Sequence, residues 1–408
     1  YNEQFIKNLE WISDLSLSAT YGWQGNLADN FGPSLITYIP SDNIDTSTGE
    51  YLQMIKNLPY NDLRWEKVKS VNLRFDLGLF NNRFVASAEY YHRKTEDMIV
   101  YKQIPYSFGV TSMPINGGSM KNSGWELTVG GTVIQTKNIS WYLSLNTSKN
   151  YNKINSTIEE NANWRAATGG TLNKKGYPVG AIWAFELKGL DDRGYPVFDI
   201  PTAEEMPEAQ YDATLYMKYM GSIEPDFSGG FSTTFRYKSF ALSTSFNINL
   251  GGKRFLAPLF DSGLTNNIPS AYDNLSKDLL NRWRQPGDEA KTNIPTLPSY
   301  ISASTSPSVT AYQALLPNGS REYLHALYNY SDVRVVDGSY MRCNNIMLTY
   351  NFPSKLINRW KMKNLGITAS VSNPFTIHSS DFKGLDPEVA TGSQPLIRTY
   401  TLTVNIGF

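Results

Sequence analysis

The chain has 408 residues, 37 basic and 37 acidic side chains, one Cys and three His. Zero formal charge argues against a polyanion binder, a lone Cys against a disulfide scaffold, and three scattered His against a His-rich metal site. At about 150 residues per domain the length would allow two or three soluble domains, but the composition points elsewhere. With 26 Tyr, 19 Phe and 9 Trp against only 18% charged residues, the chain draws its polarity from Ser, Thr, Asn and Gly. That balance suits strands whose two faces meet different solvents. No stretch of 18 consecutive apolar residues occurs, so no transmembrane helix is predicted, which leaves a β-membrane protein open. The opening Tyr1-Asn2-Glu3-Gln4-Phe5 lacks the basic and apolar regions of a signal peptide. Either an intracellular chain or a true start further upstream would account for that.

Taken in chain order, apolar and polar residues alternate with period two. Leu15, Leu17, Ala19, Tyr21 and Trp23 form the first such run, followed by Val71, Leu73, Phe75, Leu77 and Leu79, then Phe84, Ala86, Ala88 and Tyr90. Trp125, Leu127, Val129, Gly131 and Val133 make the fourth and Trp141, Leu143 and Leu145 the fifth. Phe231, Thr233, Phe235 and Tyr237 precede Phe240, Leu242, Thr244, Phe246, Ile248 and Leu250. The last three runs are Ile346 to Phe352, Leu365 to Val371 and Tyr400 to Phe408. This predicts about ten strands, each with one apolar and one polar face.

A soluble sandwich alternates in the same way, so connection lengths must decide. Tight links are predicted at Asn81-Asn82, Thr136-Lys137-Asn138 and Lys238-Ser239, and a somewhat longer one from Pro353 to Asn364. The others are long, running roughly 26–70, 94–121, 150–227, 253–338 and 375–397. Soluble domains rarely carry connections beyond about 15 residues. Strict alternation of short and long is the layout of an outer-membrane barrel, with short periplasmic turns and long extracellular loops. Aromatics near strand ends, Tyr21, Trp23, Tyr90, Trp125, Trp141, Tyr237, Tyr350 and Tyr400, suit an interfacial girdle; packing in a soluble β-core is the plainer alternative. With the tight links periplasmic, Phe408 ends at the periplasmic rim and a further strand is expected before Tyr1.

Several segments together carry a family resemblance. They are YGWQGN from Tyr21, NDLRWE from Asn61, GLFNNRF from Gly78 with EYYHRKTEDM, INGGSMKNSGWEL from Ile115, and GYPVGAIWAFELKGLDDRGYPVF from Gly176. To these add GSIEPDFSGGFSTTFRYKSF from Gly221, NRW from Asn281, DGSYMRCNNIMLTYNFPSKL from Asp337, NPFTI from Asn373, GLDPEV from Gly384, and the closing RTYTLTVNIGF. In order and spacing the chain resembles the carboxy-terminal half of the SusC/RagA family of TonB-dependent outer-membrane transporters from Bacteroidetes. The resemblance implies about the last ten strands of a 22-stranded transmembrane antiparallel barrel, with the plug, TonB box and amino-terminal strands upstream of residues 1–408. It also implies a SusD-like lipoprotein lid, coupling to the TonB complex through the amino-terminal part, contact with outer-membrane lipid, and import of oligosaccharides or peptides. On this reading the true start lies several hundred residues upstream, and the terminal run ending in Phe408 is similar to a barrel-assembly signal, or else an ordinary edge strand.

No catalytic, cofactor-binding or metal constellation is predicted. His92, His325 and His378 lie far apart, and Cys343 sits unpaired within a strand. The acidic pairs Glu159-Glu160, Asp191-Asp192 and Glu204-Glu205 fall in long loops without a calcium-loop pattern. Asp191-Asp192-Arg193-Gly194 reads as a hairpin turn with Gly194 at positive φ. The N-x-S/T triplets at Asn274 and Asn318 are of the kind an Asn- and Ser-rich chain gives by chance, and the Gly pairs near 130, 230 and 251 lack a phosphate-loop context. Recognition is the better expectation. Trp164, Trp183, Phe185, Tyr195 and Tyr211, with Tyr216, Tyr219 and Tyr312, are candidate ligand-stacking residues of the extracellular loops; the alternative is that they pack loops against one another or against a lid. A stand-alone barrel or surface-binding protein without energy coupling is the competing function, and an outer-membrane hydrolase a third.

Overall fold

The computed structural model describes the chain apart from residues 1–8, 27–33, 40–43, 46, 157–161, 263, 266, 268, 299–311, 383–384 and 390–392. Ten strands form one antiparallel sheet in chain order: β1 (Ile12–Asn26), β2 (Glu66–Leu79), β3 (Phe84–Gln103), β4 (Ser112–Gln135), β5 (Ile139–Ser156), β6 (Phe227–Tyr237), β7 (Phe240–Leu250), β8 (Tyr340–Asn351), β9 (Asn364–His378) and β10 (Thr399–Gly407). Every predicted run falls in one of them, except that Phe352 and Phe408 lie just past the ends of β8 and β10. Each strand pairs with its sequence neighbours, and among the described residues β1 and β10 do not pair with each other, so the sheet is open along two edges.

The register turns the sequence alternation into two chemically distinct faces. One row across the sheet reads Trp141, Phe235, Leu242, Leu348, Ala369 and Leu402; a row on the opposite face reads Ser144, Ser232, Ser245, Asn345, Ser372 and Thr399. Leu242, Leu348 and Leu402 are exposed, as are Leu17, Leu73, Phe75 and Leu145 on the same face. A band of Leu, Phe and Val uncovered over the whole sheet is the surface a hydrocarbon solvent requires. Aromatic pairs flank it. Trp141 meets Phe235 at 6.5 Å and Phe240 meets Tyr350 at 4.7 Å near the short turns, while Tyr21 meets Trp23 at 5.9 Å and Trp125 meets Phe227 at 6.4 Å towards the long loops.

The short turns follow local chemistry. Phe80, Asn81 and Asn82 take positive φ, as does Lys238 at the tip of the β6–β7 link; Asn tolerates this region because its short polar side chain bonds locally. The link from β8 to β9 holds a short helix, Ser354–Ile357, and a 3-10 turn, Asn358–Trp360.

One expected loop is mostly strand. The connection read as 94–121 is a projecting hairpin in which β3 and β4 run to Gln103 and Ser112. Register shifts between Thr95 and Met98, and again before Ile99, move apolar residues to the opposite parity, which hides the strand from a period-two reading. The two larger buried apolar clusters lie outside the wall, in the two longest connections.

Candidate functional site

Two structures on the concave side define the candidate site. The first is the inner wall, where a concavity of about 570 Å³ is lined by Glu126, Thr128, Ser144, Asn146, Ser232 and Asn247 among others. Short hydroxyl and amide side chains bond across strands here: Ser148 to Ser228 at 2.9 Å, Thr234 to Ser243 at 3.1 Å and Asn152 to Asn122 at 2.6 Å. These cross-strand bonds keep the side chains flat against the wall and leave a wetted polar surface.

The second is a folded cap built from the β5–β6 and β7–β8 connections. Helix α1 (Trp164–Gly169) is capped by Asn163, whose side chain accepts from the Ala166 N–H at 2.9 Å, and it ends at Gly170 in the left-handed region. Strand Ala181–Ala184 pairs with Lys218–Ser222. Helix α2 (Leu324–Asn329) comes from the other connection and contributes Leu327 to the same apolar cluster as Trp164, Leu172, Trp183 and Phe185. Backbone bonds tie the two connections together: the Phe185 N–H donates to Tyr330 O at 3.0 Å and the Asp332 N–H to Phe185 O at 2.9 Å. Ion pairs Arg165–Glu322 at 2.8 Å and Lys218–Asp332 at 3.2 Å lie around this seam.

The five aromatic residues expected at a ligand divide. Trp164, Trp183, Phe185 and Tyr195 are 4, 2, 1 and 7% exposed, while Tyr211 is 63% exposed. Trp183 is held by Tyr177 at 5.0 Å and Tyr219 at 5.5 Å, and Phe185 by Trp164 at 5.7 Å and Phe198 at 5.9 Å. Tyr195 meets Tyr312 at 4.5 Å and His325 at 5.6 Å. The structure thus places four of the five in the cap's interior, their ring faces occupied by protein, because two connections far apart in sequence close over them. Tyr211 alone of the five presents an open ring.

Titratable groups inside the cap are dispersed. Burial pushes His325 down to about 4, against the bond its Nε2 makes to Thr296 O at 2.7 Å, and its Nδ1 has no hydrogen-bond partner among the described residues. Burial likewise pushes Tyr328 up to about 12. Among the described residues no three His, Cys, Asp or Glu side chains gather as a metal site would need. His92 and His378 lie in β3 and β9, Cys343 is buried in β8, and Glu159-Glu160 fall outside the described residues. Glu205 accepts from the Thr202 N–H at 2.8 Å, a local turn bond. Asp191 does close a hairpin: its Oδ1 accepts from the Arg193 and Tyr195 N–H groups at 3.0 and 2.7 Å, and Gly194 has φ +81°. A Cβ at Gly194 would stand 2.4 Å from the Trp283 ring, so space and backbone both demand glycine.

One constellation was missed from sequence. Arg342 projects from the inner face of β8 and pairs with both Asp386 and Glu388 of the β9–β10 connection. Asp386 also accepts from the Glu388 N–H at 3.0 Å and the Leu396 N–H at 3.1 Å, while Phe382 packs with Leu256 and Val336. Arg342 shares the sequence parity of outward-facing Ile346 and Leu348, and only the register shift between Cys343 and Asn345 turns it to the inner face, so a period-two reading hides it. Its partners lie some 45 residues on and have no periodic signal.

The TonB dependent receptor-like, beta-barrel family matches residues 8–373. Over its whole length the chain is 25% identical to TonB-dependent receptor P3 of Formosa agariphila and 26% identical to TonB-dependent receptor SusC of Bacteroides thetaiotaomicron. It spans 40 and 39% of the length of these relatives. Among solved structures, the RagAB peptide importer in its open-open state superimposes with a TM-score of 0.73 and 26% identity, covering 99% of this chain and 41% of that one. The RagAB peptide transporter superimposes with a TM-score of 0.75 at 24% identity, covering 99 and 42%, a likeness of fold. The two-faced wall, the alternation of turns and long loops, and these matches agree: the chain is an outer-membrane protein that belongs to the TonB-dependent receptor β-barrel family, on its SusC/RagA-like side.

Proposed function

We propose that this chain forms one side of the barrel of an energy-coupled importer that takes up oligosaccharides or peptides together with a SusD-like surface lipoprotein. Further strands complete the barrel along the open edges of β1 and β10, and coupling to the TonB complex runs through that remainder. The observation that carries this reading is the polar inner concavity, lined by Ser, Thr, Asn and Glu126, lying on the opposite face from an apolar outer band. A wall of that kind guides a hydrophilic cargo across lipid without bond-making chemistry. Within the cap, the buried aromatics hold the loops in shape, and Tyr211 is the proposed stacking contact for cargo or lid.

The test uses the complete transporter in its host. Uptake of a labelled oligosaccharide panel and a peptide panel should fall to background when the gene is removed, when TonB is removed, and when the proton gradient is collapsed. Uptake that persists without TonB or gradient would favour the uncoupled barrel and sink this reading. Tyr211→Ala is expected to weaken uptake several-fold while leaving the amount of protein in the membrane unchanged.

A further inference from the structure

On four adjacent strands one outward register row consists entirely of lysine. Lys69 of β2 stands opposite Lys94 of β3, Lys94 opposite Lys121 of β4, and Lys121 opposite Lys153 of β5, with Trp23 of β1 beside Lys69. Parity puts all four on the lipid-facing side. Lys69 shares its face with Leu73 and Phe75, Lys94 with Tyr90, Lys121 with Trp125, and Lys153 with Leu145.

Their height follows from the same register. Each lies ten residues along its strand from the row Leu79, Phe84, Gly131 and Leu143 near the short turns. Ten residues rise about 33 Å along a strand, which a tilt of about 40° reduces to about 25 Å along the membrane normal. That is the height of the apolar band, so the four ammonium groups stand at headgroup level, just beyond the belt containing Tyr21, Tyr90 and Trp125.

Like charges directly opposite each other on neighbouring strands repel, and this row sets four across about 15 Å. Only half of the row is neutralised by the protein. Glu96 binds Lys69 at 3.1 Å and Lys94 at 2.5 Å. Lys121 and Lys153 are exposed and have no carboxylate partner among the described residues. Lys149 adds a further cation on this face, over the Tyr151 ring at 4.9 Å. Snorkelling alone would account for isolated lysines at this depth. It leaves the unpaired half of an unbroken row, Lys121 opposite Lys153, which a multivalent anion at that height would neutralise.

We propose that Lys69, Lys94, Lys121 and Lys153 bind the phosphate groups of an anionic lipid in the outer leaflet, with Lys121 and Lys153 as the principal contacts and the belt of Tyr151 and Trp125 against its acyl chains. This goes beyond the transport reading and stands apart from it, since it needs only the wall in its membrane.

The experiment uses the complete transporter purified in mild detergent with its native lipid, with bound lipid counted by native mass spectrometry. Lys121→Gln combined with Lys153→Gln should lower retained phosphorylated lipid about tenfold, whereas Lys121→Arg with Lys153→Arg should keep it and Lys137→Gln at the opposite rim should leave it unchanged. A shift in gel mobility on heating verifies that each variant is folded. Delipidated protein should recapture a phosphorylated lipid in preference to the same lipid lacking its phosphate. Wild-type retention by the double Gln variant, or equal capture of the phosphate-free lipid, would overturn the proposal. Protection of Lys121 and Lys153 from amine acylation by inorganic phosphate as strong as that by lipid would assign the row to free anions instead, and an acidic protein that co-purifies in place of lipid would assign it to a protein partner.

Discussion

Trp183 and His325 show what the cap asks of single side chains. Trp183 is almost wholly enclosed between Tyr177 and Tyr219, so Trp183→Ala should cost the cap about 3–5 kcal/mol by loss of packing and creation of a void. Faster hydrogen exchange across Ala181–Ala184, with exchange in β6 and β7 unchanged, is the expected signature; uniform exchange in both would contradict it. His325 makes the cap sensitive to acid. Its ordinary value of 6.5 applies to the unfolded cap and about 4 to the folded one, so the unfolded form binds the extra proton between those limits. Stability is therefore complete above pH 6.5 and falls by about 3 kcal/mol as pH drops to 4. His325→Phe should flatten that slope, measured as cap exchange rates at pH 7 and 4.5. At this scale local chemistry was legible and burial was not. The Asp191 hairpin follows from four consecutive residues, whereas enclosure of Phe185 depends on Tyr330 and Leu327, which nothing near Phe185 in sequence announces.

Among elements, the ten wall strands were readable because lipid and water impose a strict period of two on each. The projecting ends of β3 and β4 were not, since the register shifts near Met98 invert the parity of everything beyond. The β9–β10 connection adds a contact of a different kind, held to the wall by Arg342 through Asp386 and Glu388. Removing only the cation leaves the Asp386 carboxylate, which is nearly buried, without its counter-charge, at a cost of about 3–5 kcal/mol. Arg342→Met should thus release this connection: protease cleavage between Phe382 and Leu396 should rise at least several-fold while the wall stays intact. Cleavage no faster than in the wild-type chain would show that Phe382 packing alone holds the loop.

For the molecule as a whole, the open sheet is the decisive feature. Along β1 and β10 every second residue directs its N–H and C=O towards an edge with no partner among the described residues, and each such group costs several kcal/mol within lipid. The chain refolded alone into detergent micelles is expected to give no monomer whose gel mobility shifts on heating. A heat-modifiable monomer would show that these ten strands close by themselves. Sequence determined the strand number, the two faces, the short-turn rim and the family resemblance, because period-two alternation and turn residues are local consequences of a two-solvent wall. Only tertiary structure decided which loop aromatics are buried, that two distant connections fold as one cap, that Arg342 holds a third, and that four lysines from separate strands line up in one row. Each of these depends on register and on closure between residues tens to more than a hundred positions apart, which no local pattern encodes.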